Sequence, residues 1–372
     1  MKRYHLHLIS FLVGLSLLSC QETAPETPAP KSEIESLEAR PFNMGFTSWT
    51  YGPEAADVED TYQFILKNGD IYSEQFDHRI PWSSWINNTP LSQEFVDNLN
   101  YRISKRPAGK KMLLSVSLLN IGRTDLLEDY DGKTPMYDSI NEPKIENSYI
   151  EHLTYLIEKF NPTYLVFAME VNELRVKDVI KWNNYKKLSA QIQSRIKNSF
   201  PQLQVSESVT LHNWYNPYQT HTAEYMEEIR QYVNKKDFVA ISFYPFLMAL
   251  HSKSEIQGAF DFLHQQTTKP IAFSETTHNA TPIDIPAFNF YSNSTETEQN
   301  GYLETVLLNG AKQNYEFIIW WCHRDYDKLF EIFPDETKDL GLLWRDTGLL
   351  DENGTQRNAF NTWKMVFEKP AK

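Results

Sequence analysis

"TYLVFAMEVNEL", residues 163–174, runs from an apolar stretch straight into Asn172 and Glu173. Tyr164, Leu165, Val166 and Phe167 are strand formers, and the run is short and apolar enough for a strand covered on both faces. Ionised carboxylates are seldom fully buried without partners, so Glu170 and Glu173 mark where this strand leaves the core. Seven other runs read the same way: "FNMGFTSW", "DIYSEQF", "KMLLSVSLL", "QVSESVTL", "FVAISFY", "PIAFSET" and "EFIIWW". Helical periodicity fills the intervals. Phe95, Val96, Leu99 and Ile103 share one face of a helix beginning near Ser92, and Tyr149, Ile150, Leu153, Ile157 and Phe160 share the next. Further helices are expected at about Val179–Phe200, Ala223–Val233, Glu255–His264, Glu298–Lys312 and Ala359–Phe367. Eight strand-then-helix units predict α/β architecture, a single (β/α)8 barrel.

Connection lengths favour the barrel. Helix-to-strand links are terse, as in "NPT" before Tyr164, "PQL" before Gln204 and "NKK" before Asp237. Strand-to-helix links are long, above all "NIGRTDLLEDYDGKTPMYDSINEP" after the third strand and residues 323–355 after the eighth. In such barrels the loops that follow strands carry function. A doubly wound open sheet would offer a glycine-rich phosphate turn after its first strand; here Pro53 and Glu54 follow "FTSWTYG".

The 372 residues are 41% hydrophobic, and 49 Asp plus Glu outweigh 36 Lys plus Arg for a formal net charge of −13. A surface of that sign repels phosphate backbones, which argues against a nucleic-acid partner. Aromatics make up 14% of the chain, a surplus that suits a groove stacking on flat apolar faces such as sugar rings. Lys2 and Arg3 precede "LISFLVGLSLLSC", too short for a comfortable membrane span and typical of a signal peptide. Its last four residues, Leu17 to Cys20, resemble a bacterial lipobox, which implies lipidation at Cys20. Gln21 after Cys20 resembles outer-membrane sorting. "QETAPETPAPKSEIES" then reads as a flexible tether. The expected organisation is a signal over 1–19, a tether over 20–40 and a catalytic barrel over 41–372, membrane-anchored at the cell envelope and monomeric. Cys322 is the sole other cysteine. No intramolecular disulfide is then available, and Cys322 reads as a small buried hydrophobe.

The candidate chemistry lies at the strand ends. The fourth strand offers Asn172 and Glu173, the seventh Glu275, the sixth Tyr244, the fifth His212 and Trp214, the second Asp77 and His78, and the first Trp49. The eighth ends in Trp320-Trp321, of which alternation lets one point inward; Trp320 is favoured. Glutamates on strands four and seven face each other across a barrel mouth, and paired carboxylates are what glycoside hydrolysis needs. The rival reading for either glutamate is a cap on the next helix or a pair with a nearby arginine such as Arg175. Glu170 is read as a group orienting the others or as an ion-pair partner. His323, Arg324 and Asp325 either line the cleft or hold a loop. Metal ligation finds little support: the only His-x-His, His5 and His7, lies inside the signal, and neither HExxH nor Gly-x-Ser-x-Gly occurs. No metal or cofactor is expected.

Asn-Glu closing strand four and Glu closing strand seven resemble the signature of clan A retaining (β/α)8 glycoside hydrolases. "DTGLLDENGTQRNAFNTWK" is similar to the tail of many such barrels. The nearest comparison within the clan is the arabinogalactan endo-β-1,4-galactanases, from which Val171 and "ETTH" depart. The resemblance implies Glu173 as acid/base with a raised pKa, Glu275 as nucleophile, Asn172 on the sugar 2-hydroxyl and Tyr244 donating to Glu275. It implies Trp320 beneath the sugar. Trp49, His78 and His212 are read from their places at strand ends as further substrate contacts, the two histidines equally as loop hydrogen-bonding groups. The implied substrate is a β-linked polysaccharide such as a β-galactan, cut internally with retention. The alternative is a surface glycan-binding lipoprotein that keeps the scaffold without the reaction.

Overall fold

The computed structural model describes residues 31–217, 221–248 and 250–371. The signal segment and Cys20 lie outside them. Eight parallel strands appear where the apolar runs predict them: β1 Asn43–Thr47, β2 Ile71–Phe76, β3 Lys111–Val116, β4 Tyr164–Val166, β5 in two halves (Gln204–Ser206 and Ser208–Thr210), β6 Val239–Phe243, β7 Ile271–Thr276 and β8 Phe317–Trp320. The first half of β5 pairs with β4 and the second half with β6, so the ladder running through β3, β2, β1, β8 and β7 returns on itself at Glu207. The fold is a (β/α)8 barrel.

The break in β5 carries a buried charge. Glu207 is ion-paired to Lys236 and accepts hydrogen bonds from Ser189 (2.7 Å), Tyr232 (2.7 Å) and Tyr185. Both ions are almost wholly buried, and a buried pair is tolerable only when its remaining hydrogen bonds are made.

Side chains alternate as a barrel requires. Ile71, Leu113, Tyr164, Val166, Ala240, Ala272, Phe317 and Ile319 fill the interior. The opposite parity, among it Met44, Phe46, Tyr72, Met112, Leu114 and Phe273, packs beneath the helices. Gly45 is required at the β1–β2 contact: a Cβ there would come within 1.9 Å of the Ile71 carbonyl oxygen. Two strands change phase near their C-terminal ends. In β7, Ile241 of β6 pairs with Phe273 but Ser242 pairs with Glu275, and on the other flank Ile318 pairs with Phe273 and Trp320 with Thr276. Ser274 is thus an extra residue absorbed as a bulge. After β4, Phe167 and Ala168 both join the outer layer, and Met169 turns back to the interior.

The outer layer comprises α1 Ala55–Asn68, α2 Trp82–Asn87, α3 Gln93–Lys105, α4 Pro143–Phe160, α5 Asn172–Lys177, α6 Val179–Ser199, α7 Leu211–Tyr215, α8 Thr222–Val233, α9 Lys253–Gln266 and α10 Glu296–Gln313. It closes with the short α11 Asp327–Phe330 and α12 Asp335–Gly341 in the β8 loop and with α13 Asn358–Phe367. The periodicity reading omits α1, α2, α5, α7, α11 and α12. Ile34 is buried, and Arg40 donates to Asp70 through Nη1 (2.5 Å) and Nη2 (3.1 Å), so the chain packs on the barrel before residue 41. Cys322 is fully buried, as expected, and burial pushes its thiol well up. Among the described residues no helix is long and apolar enough to cross a membrane.

Candidate active site

A cavity of about 290 Å³ opens at the C-terminal end of the strands. Its walls come from the segments that end them: Trp49 after β1, Gln75 and Asp77 at β2, Arg123 from the β3 loop, Met169 and Glu170 after β4, Tyr244 after β6, Glu275 on β7 and Trp321 after β8. The long β8 loop supplies Tyr326, Phe333 and Trp344 as a roof.

Glu275 is where sequence analysis places it. The bulge at Ser274 makes this possible. Strict alternation from Ala272 would aim Ser274 inward and Glu275 at the helices; the extra residue restores Glu275 to the cavity while Thr276 bonds to Tyr302 on α10. Gln75 donates its side-chain amide to Oε2 of Glu275. Burial pushes the Glu275 carboxyl well above the usual carboxylate range, and the charges of Glu170 and Asp77 push the same way against Arg123.

The facing carboxylate is Glu170, which corrects the expectation of Glu173. The regular β4 ladder ends at Val166, and the chain crosses Phe167 to Met169, still bonded to β5, before Glu170 takes a left-handed backbone (φ 54°) with its N–H on Ser208 Oγ (2.9 Å). Glu173 lies one turn on, in the first turn of α5. Its Oε1 accepts from Thr210 Oγ1 (2.6 Å) and Asn213 Nδ2 (2.7 Å), and Lys177 stands 3.8 Å from Oε2. That is the helix-start role named as its rival: a carboxylate beside the free N–H groups of a helix and one turn ahead of a lysine. Asn172 is also redirected. It is fully buried, donates to Thr210 O (3.1 Å), Thr210 Oγ1 (3.0 Å) and Tyr225 Oη (3.0 Å), and accepts from Thr210 N (2.8 Å). It has no capacity left for a sugar. Arg175 pairs with Glu228 at 2.6 Å.

Of the tryptophan pair, Trp321 enters the cavity and Trp320 does not. Trp320 pairs with Phe46 on one side and Thr276 on the other, faces Tyr302 of α10 and donates Nε1 to Thr347 O (3.0 Å). Trp321 follows the last paired residue and its ring lies 5.1 Å from that of Trp49, tilted by 36°. The indole N–H groups of Trp49, Trp321 and Trp344 have no protein partner among the described residues. Tyr244 lines the cavity, its ring 5.9 Å from Trp344, but the hydrogen bond expected from it to Glu275 comes from Gln75 instead. His212 stands beside the cavity: its ring is 6.4 Å from Tyr244, burial lowers its pKa, and the charges of Glu173 and Glu170 oppose that. His78 is exposed and outside the lining. Asp325 is bound by both ends of the Arg357 fork (2.8 and 2.7 Å), and Arg324 lies over the Tyr51 ring, so this segment holds its loop.

No family model matches the chain, and no curated protein matches it. Solved structures do. A GH5_18 protein from Streptomyces cattleya in complex with GlcNAc superposes with TM-score 0.60 at 14% identity, over 89% of this chain and 80% of that one. An exo-β-1,4-mannosidase from Opitutaceae bacterium strain TAV5 gives TM-score 0.65 at 10% identity, over 91% and 62%. A GH53 catalytic domain from Ignisphaera aggregans gives TM-score 0.56 at 14% identity, over 92% and 99%. At these identities the likeness is one of fold. The chain is a (β/α)8 barrel of the kind these enzymes share, with two glutamates at one cavity, Glu170 just past strand four and Glu275 on strand seven.

Proposed function

We propose that the protein is a retaining glycoside hydrolase acting on β-linked glycans, with Glu275 as nucleophile and Glu170 as acid/base. The observation that carries this reading is the meeting of Glu170 and Glu275 in one aromatic-walled cavity, where the charge of Glu170 helps to raise the pKa of Glu275. In the first step Glu170 gives its proton to the glycosidic oxygen, the C1–O bond breaks, and a Glu275 oxygen bonds to C1. In the second, the Glu170 carboxylate takes a proton from water, the water oxygen bonds to C1, and Glu275 leaves. Attack requires an ionised Glu275 and a proton on Glu170. Trp321 and Trp49 offer the apolar face for the sugar, and their free N–H groups are donors for its hydroxyls.

Internal cleavage is supported by a second cavity of about 270 Å³ that shares Trp49, Gln75 and Asp77 with the first and extends past Tyr101 and Asn98. Two adjoining cavities suit a substrate longer than one sugar. β-Galactan remains the substrate that the clan resemblance suggests. β-Mannosides are the second choice, because two neighbours are a mannosidase and a GH5_18 protein bound to Manβ1-4GlcNAc. The chain would act as an outer-membrane lipoprotein held by lipid at Cys20.

The test is reducing-sugar release from β-galactan, β-mannan, β-glucan and xylan, with the anomer of the first product read by NMR. Release by the wild type and not by Glu275→Ala, with retained configuration, is expected. Binding without release would leave the glycan-binding alternative standing.

A further inference from the structure

We propose that Arg123, on the long loop between β3 and α4, is a positioning residue that aims the Glu170 carboxyl at the glycosidic oxygen. The inference rests on the hydrolase reading and goes beyond it by naming what holds the proton donor in place.

Glu170 needs such a device. It belongs to no strand or helix, and its side chain is 17% exposed at the cavity wall. Arg123 reaches one of its oxygens twice, Oε2 accepting from Nε at 3.2 Å and from Nη2 at 2.9 Å. The remaining nitrogen, Nη1, is committed to the arginine's own loop, donating to Asn120 O (3.1 Å), Leu119 O (3.3 Å) and Ser117 Oγ (3.3 Å). The planar guanidinium is therefore locked by acceptors just past the end of β3, and through it Oε2 is tied to a rigid part of the barrel. Oε1 accepts no hydrogen bond among the described residues, which leaves it for the substrate.

The backbone points the same way. Among the described residues seven non-glycine positions have positive φ, and five are Asn or His, types that tolerate that region. The other two are Arg123 (φ 52°) and Glu170 (φ 54°), and they are each other's partners. Left-handed backbone at an ordinary residue persists only when its surroundings over-determine it, and it clusters at working sites. Strain on both halves of one ion pair is spent on bringing those two side chains together. Four of the five Arg123 N–H groups are committed to Glu170 and to the arginine's own loop, so a positioning role suits it better than a binding one.

A leaving-group comparison separates positioning from mere support of the loop. Proton donation matters for a basic leaving group and little for an acidic one, so loss of aim should be felt only by the former. The probes are phenyl and 2,4-dinitrophenyl β-galactobiosides and β-mannobiosides, with kcat/KM reporting the first chemical step. Arg123→Gln should lose about 10²-fold on the phenyl substrate, the scale of a misplaced catalytic group, and stay within about threefold on the dinitrophenyl one. Arg123→Lys, which keeps the charge and loses the fork, should fall between, and it decides the matter if the Gln variant does not fold. Equal losses on both leaving groups, or no loss on either, would overturn the proposal. Glu170→Ala is the control. If it shows the leaving-group dependence and the arginine variants do not, only the role of Arg123 falls. If the wild type turns over neither sugar, or Glu170→Ala is indifferent to leaving group, the hydrolase reading of Glu170 fails and takes this one with it.

Discussion

Glu170 and Glu173 are one helical turn apart in sequence and belong to different machinery. Glu170 stands on strained backbone at the rim of β4, faces a cavity, and is held by a single arginine from another loop. Glu173 stands on relaxed helix, faces Thr210, Asn213 and Lys177, and has no place on the cavity wall. Residue type does not distinguish them. What does is whether local structure leaves the carboxylate's hydrogen-bonding capacity open or fills it. The tryptophans repeat the lesson: Trp320 has its N–H satisfied beneath a helix, and its neighbour Trp321 has its N–H free at the site.

The sharpest way to break this comparison is to exchange the two glutamates as targets. Glu170→Ala is expected to lose about 10²–10⁴-fold on polysaccharide, the range for a missing acid/base. Azide should restore turnover of a dinitrophenyl glycoside in that variant. Glu173→Ala should keep most of its activity and lose about 1–2 kcal/mol of stability with its helix-start contacts. Turnover assays and urea titrations on the pair decide it, and an inactive, fully stable Glu173 variant would reverse the assignment.

The tryptophans give the next largest effect. Trp320→Ala should cost about 3–5 kcal/mol of stability, as truncation of a buried tryptophan does. Trp321→Ala should instead raise KM by about tenfold or more with a smaller loss of stability. A matched pair of KM and denaturation-midpoint measurements tests this; a KM effect confined to Trp320 would put the sugar platform on the wrong ring.

Acid sharpens the picture by acting on the scaffold rather than the rim. Burial lowers His152 and His323 from the ordinary 6.5 to about 3, and neither nitrogen of His152 has a partner among the described residues. A histidine whose folded pKa is depressed binds protons better when unfolded, so its contribution is present above pH 6.5 and is lost as pH falls from there toward 3. Each should cost about 1 kcal/mol between pH 7 and 5.5. Glu275, raised in the fold, works against them, since a folded state that holds its proton gains as pH falls. His152→Phe should therefore flatten the acid side of the stability profile, and a profile unchanged from the wild type would show that His152 does not drive it.

The barrel was legible because its two signals are redundant. Every strand is an apolar run, and each long helix from α3 onward has an amphipathic face, so small errors at the ends do not change the order. The site depends on finer quantities. Burial continues from Tyr164 to Val171 without a gap, except for Glu170 itself, so hydrophobicity could not mark that the regular strand ends at Val166. The left-handed turn at Glu170 has no residue preference to announce it. Asn172 to Lys177 did carry a readable sign, an acidic first turn with a lysine four residues on, and that sign belongs to a helix start. For Trp320 and Trp321, alternation restricts the answer to one of two, but the ladder with β1 and β7 chooses. Arg123 and Gln75 reach the site from a loop and a strand distant in sequence from Glu170 and Glu275, and nothing local to either announces it.

The bulge at Ser274 has an evolutionary consequence. In a regular strand a side chain changes face only if the whole strand slips by one residue, which would turn the core of β7 inside out. Because one residue is absorbed locally, Ile271, Ala272 and Phe273 keep their phase while Glu275 and Thr276 take the opposite one. The lower half of the strand answers to packing and the upper half to chemistry, with a single codon separating the two. Because Glu275 takes the ladder position next after Phe273, loss of residue 274 would leave both the core and the carboxylate in register.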